Sequence, residues 1–76
     1  MTQEEIRAHL MAISEEFRRL AAQHAEYSQK LEALSARAYL TAQEQVEEVQ
    51  LKKLKLRLKD QMQQMIDRYR AQQQPA

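Results

Sequence analysis

Apolar and aromatic positions recur along the first half of the chain at Ile6, Leu10, Ile13, Phe17, Leu20, Tyr27, Leu31 and Leu34, with His24 in the same series. The steps alternate four and three, the heptad spacing that keeps one stripe of a helix against a partner and winds the pair left-handed. The pattern predicts one helix over about residues 3–36, with Glu15–Arg19 and Glu26–Lys30 as i,i+4 pairs on its wet face. A second stripe follows at Leu51, Leu54, Leu58, Met62, Met65 and Tyr69. It predicts a second helix over about 42–71. The intervening Ser35-Ala36-Arg37-Ala38-Tyr39-Leu40 continues neither stripe, which places a turn at about 37–41.

Helix starts are signalled twice by one device. Thr2 precedes Glu5 and Thr41 precedes Glu44 by three residues, the capping-box spacing in which hydroxyl and carboxylate each accept a free backbone N–H. Met1 and Ile6 also stand where a hydrophobic staple would, whereas Leu40 meets only Gln45. The Gln-rich residues 72–76, with Pro75, are expected to fray. Two helices of similar length on a short connection become antiparallel neighbours. The expected fold is all-α: a single domain over 1–76 forming an antiparallel coiled-coil hairpin that can assemble into a helical bundle. In that hairpin Phe17 and Leu20 lie near Leu54 and Leu58, and Leu10 and Ile13 near Met62, Met65 and Tyr69.

Composition narrows the function. Cysteine and glycine are absent and Pro75 is the single proline. Disulfides and thiolate chemistry are thereby excluded, and glycine-dependent phosphate loops with them. Charged residues are 30% of the chain yet sum to +1, so the overall field favours neither nucleic acid nor an anionic membrane. No apolar run approaches the length of a membrane span. The N-terminal Met-Thr-Gln-Glu-Glu lacks the basic and apolar regions of a signal peptide, so a cytoplasmic location is expected. Catalytic tuning needs burial in a pocket, which a thin hairpin offers little of. We therefore expect no enzyme, no metal and no cofactor.

One run is more specific. Leu51-Lys52-Lys53-Leu54-Lys55-Leu56-Arg57-Leu58-Lys59-Asp60 resembles the L-K-K-x-K-L-x-L-K-D signature of the YdcH-like family of small bacterial proteins. Upstream, the spacing of Phe17, Leu20, His24, Tyr27, Leu31, Leu34 and Ser35 is similar to the family's first helix. Tyr27 stands where a leucine is usual and Ser35 where an acid is common. The resemblance spans roughly residues 6–66 and implies a cytoplasmic helical hairpin. It brings no activity, substrate or catalytic residue with it.

Three candidates remain. His24, at a core position, reads first as a half-buried polar residue that fixes register by a hydrogen bond, and second as a group titrating near neutrality. His9 reads as surface. Lys52, Lys53, Lys55, Arg57 and Lys59 form the one basic patch; spread around the helix, they read chiefly as a solvated face pairing with Glu48, Glu15 and Glu16. RNA binding is the alternative. Val49 and Leu56 fall at about 220° and 200° from Leu54 on a helical wheel, away from the expected core. A heptad apart, they suggest an outer seam for a second copy, a dimer being the favoured oligomer. The expected function is that of a non-enzymatic interaction protein, self-associating or packing against protein partners.

Overall fold

The computed structural model describes residues 2–73. It contains three helices: α1 (Gln3–Ile13), α2 (Glu15–Ser35) and α3 (Ala42–Gln73). The all-α class is as expected, but the two-helix hairpin is not. The heptad stripe that suggested one unbroken first helix is cut at Ser14. Helix α3 reaches Gln73, so residues 72 and 73, expected to fray, are helical; the rest of the expected tail and the Met1 staple lie outside the described residues.

The break has a register cause. Helices α2 and α3 run antiparallel, with Phe17 beside Met62 and Ile66, and His24 in the same furrow as Lys55 and Lys59. Had the first helix continued straight, Ile6 and Leu10 would lie opposite about residues 71–75, the polar Ala-Gln-Gln-Gln-Pro. Folding back at Ser14 gives both residues an apolar partner instead. Ile6 (1% exposed) and Leu10 then pack with Phe17, Met62 and Ile66 in one cluster, flanked by Leu20, Ala21, Met65 and Tyr69. Helix α1 thus runs parallel to α3, displaced by sixty residues. Gln3 Nε2 donates to Gln63 Oε1 at 3.1 Å, and the His9 and Tyr69 rings stand 5.1 Å apart. His9, expected at the surface, is half-buried by this contact.

The corner needs only one non-helical residue because its polar groups are satisfied locally. Ser14 is extended (φ −112°, ψ 114°); its N–H donates to Leu10 O at 2.8 Å and closes α1. Its hydroxyl accepts the Phe17 N–H at 3.1 Å and opens α2. Arg18 reaches back to the carbonyls of Met11 and Ala12, two of the acceptors that a helix end leaves free. Replacing Ser14 with alanine removes the cap and should cost about 0.5–2 kcal/mol. For a domain of this size that is a fall of about 4–8 °C in Tm per kcal/mol; an unchanged calorimetric melt would discount the cap.

The turn between α2 and α3 spans residues 36–41, close to the expected position, and manages without glycine because no residue in it adopts positive φ. Arg37 pairs with Glu44, whose carboxylate also accepts the Thr41 N–H at 3.0 Å, while Thr41 Oγ1 accepts the Glu44 N–H at 3.1 Å. Both capping boxes form, that at Thr2 with bonds of 3.2 and 3.3 Å. The molecule measures 53 × 20 × 19 Å, about one long helix by two helix widths.

The core differs from the expected one at three places. Ile13 is 60% exposed because α1 ends there and the chain turns. Leu54 is 40% exposed, at the margin of the face that α3 turns to α2. Ile66, outside the expected stripe, is 2% exposed, because α1 and α2 both cover this end of α3. Leu34, Leu51, Leu58 and Met62 are buried as the stripes require, and Tyr27 and Leu31 are half-buried.

Candidate functional site

The most developed surface feature is an open furrow of about 740 Å³ along the flank of the hairpin, beginning where α1 begins. Its apolar lining is Leu31 of α2 with Met62 and Ile66 of α3, and the exposed Leu56 at the outer margin. Its rim is basic. Lys52, Lys55 and Lys59 recur along α3 at steps of three and four, so they share a side of that helix. Arg7 of α1 and His24 of α2 complete the rim, with Gln3 and Gln63 at one end. No carboxylate among the described residues lines it. Lys52 is held by Glu48 at 3.5 Å, whereas Arg7, Lys55 and Lys59 form no ion pair among the described residues.

The five-residue basic patch expected from sequence is therefore divided. Lys52, Lys55 and Lys59 border the furrow, while Lys53 and Arg57 line a smaller depression with Gln50 and Leu54. Glu15 and Glu16, expected to pair with these lysines, sit at the start of α2, beside the corner; the ion pairs found among the described residues are Glu26–Lys30, Arg37–Glu44 and Glu48–Lys52. Arg7 was not picked out as a functional residue. It lies forty-five positions from Lys52 and joins the lysines through the fold-back of α1.

His24 reports the electrostatics of the furrow. It makes no hydrogen bond among the described residues, so the expected register-fixing bond is not what holds it. Burial first, then the positive charges of Lys55, Arg7 and Lys59, push its pKa below the usual 6.5. The folded chain thus prefers the neutral imidazole. Stability from this group is whole above about pH 6.5, the unfolded value, and is lost as pH falls through the lower folded value. Among the described residues, no three His, Asp or Glu side chains gather closely enough to hold a metal. No described helix is long and apolar enough to cross a membrane.

The outer face of α3 carries a second feature. Val46, Val49 and Leu56 are 57%, 50% and 60% exposed. The expected seam residues Val49 and Leu56 are thus on the surface, and Val46 extends the apolar face toward the start of the helix.

A small all-α hairpin, capped at each helix start and flanked at one end by a short returning helix, is the class these features define. Residues 17–66 match the family described as protein of unknown function (DUF465), the YdcH-like small helical proteins, and the chain belongs to that family. The match runs from Phe17 to Ile66, from α2 through the turn into α3, and does not begin at about residue 6 as the resemblance suggested. Helix α1 lies outside it. Neither the curated proteins nor the solved structures give a match.

Proposed function

We propose that the protein is a non-enzymatic helical interaction protein that self-associates through the outer face of α3. The observation that carries this reading is the exposure of Val46, Val49 and Leu56, with no described element covering them. Large apolar side chains grouped on one helix face are a common mark of a packing surface. An isolated core in a chain this short supplies only about 3–5 kcal/mol, so a partner helix also relieves a thin interior. A second copy related by a two-fold axis sets like faces together, with Val49 of one chain against Leu56 of the other in coiled-coil fashion.

The test is the mass in solution. Light scattering of the unaltered chain should give twice its 9.0 kDa. Val49→Glu with Leu56→Glu should return the single-chain mass while helicity is kept. A monomer before substitution, or a dimer after it, removes this face from consideration. Nucleic-acid binding is less well supported, because Lys53 and Arg57 stand apart from the other three cations and no described Phe, Tyr or Trp lines the furrow to stack on bases.

A further inference from the structure

The furrow beside α1 is distinct from the outer face of α3, although Leu56 borders both. We propose that it is the docking site for an acidic amphipathic α-helix of a protein partner, lying end to end with α1. Three observations select this occupant. The first is that the bed already holds a helix at one end. Met62 and Ile66 support Ile6 and Leu10 in the core cluster and also line the open part of the furrow. Beyond Gln3 the same trough continues past Leu31 and Leu56 with no described element laid in it. A trough between two antiparallel helices that seats α1 has the width for another helix.

The second observation is charge. Arg7, Lys55 and Lys59 converge from two helices without an ion pair among the described residues, and no described acidic group lines the walls. All three face His24, whose pKa is held below 6.5 by burial first and by these charges next. An occupant with carboxylates along its flanks would pair with them, and such complementarity sets both orientation and choice of partner. The third observation is the apolar lining. Leu31, Met62 and Ile66, with Leu56 at the margin, offer apolar contact to the stripe of an amphipathic helix at i, i+3, i+4 and i+7, the usual form of helix-in-groove recognition. A phosphate backbone would leave those side chains uncovered, and bases would find only the His24 imidazole to stack on.

The experiment uses the intact chain and a fluorescent synthetic peptide with leucines on one helical face and glutamates on the flanks. A scrambled peptide of equal composition and a labelled oligouridylate serve as comparators. At low salt, anisotropy should show binding of the amphipathic peptide and not of the other two. Lys55→Glu with Lys59→Glu should weaken binding by about tenfold or more. Lys53→Glu with Arg57→Glu makes the same change in net charge outside the furrow and should leave the affinity within about twofold. In the unsubstituted chain, peptide binding should also shift the His24 imidazole NMR signals, since His24 lines the furrow. The proposal is overturned by binding of oligouridylate in preference to the peptide, by equal weakening from the two variant pairs, by no binding of any probe, or by a bound peptide that leaves His24 unmoved. Because Leu56 borders both surfaces, the titration is repeated with Val49→Glu alone, which alters the outer face and not the furrow; peptide binding kept in that variant separates this outcome from the light-scattering result.

Discussion

Replacing Phe17 with alanine should leave the chain without a cooperative melt at room temperature. Phe17 is fully buried, the first residues of α2 place it under α1, and its ring is shared by Ile6 and Leu10 on one side and Met62 and Ile66 on the other. Truncating a buried phenylalanine typically costs about 3–5 kcal/mol, through lost transfer free energy and the cavity left behind. That range equals the whole contribution expected from a single core in so short a chain. No polar network or disulfide stands in reserve, since the buried residues are all apolar and cysteine is absent. Circular dichroism with thermal or urea unfolding is the measurement. A sharp transition shifted by only a few degrees would mean that the three helices do not depend on this ring.

The second large effect concerns α1 alone. Ile6→Glu should release α1 and leave the α2–α3 hairpin folded but weaker. Ile6 is 1% exposed, its loss to a small residue would cost about 2–5 kcal/mol, and glutamate adds an unpaired charge in an apolar site. Once released, an 11-residue helix is too short to persist in water, even with its capping box intact. Ellipticity should fall by about one sixth, since α1 supplies 11 helical residues against 21 and 32 in the other two helices. Spin labels at positions 3 and 63, adjacent in the native chain, should separate and broaden in distance. Labels that remain close in this variant would show that α1 is held by something other than its apolar face.

Much of this architecture was legible in residue spacing, and the failures have identifiable causes. Thr41 and Glu44 marked the start of α3 because a capping box is a local device, decided within four residues. The turn near Tyr39 was found from a lapse in pattern, although it lacks glycine, because the flanking stripes are long. The heptad spacing hides Ser14, because it runs undisturbed from Leu10 to Phe17. The missed signal was Ser14 followed by Glu15 and Glu16, an N-cap with acids in the first turn. It competed with a longer pattern, and only the register of α3 against α2 decides between them. Ile66 was missed for the same reason: its burial depends on α1 arriving from a direction the stripe did not imply. The furrow inherits that dependence. Three of its cations were visible as a basic run, but Arg7 and the separation from Lys53 and Arg57 belong to tertiary structure.

The sixty-residue displacement between α1 and α3 also bears on how the molecule assembles. Helices α2 and α3 are joined by six residues, so their first contacts close a short loop at little entropic expense. Contacts such as Gln3 with Gln63 enclose most of the polypeptide and have no surface to land on until Met62 and Ile66 are already aligned with Phe17. Chain topology thereby leads us to expect an order of events: the hairpin zips from its turn, and the N-terminal helix docks afterwards to complete the shared core.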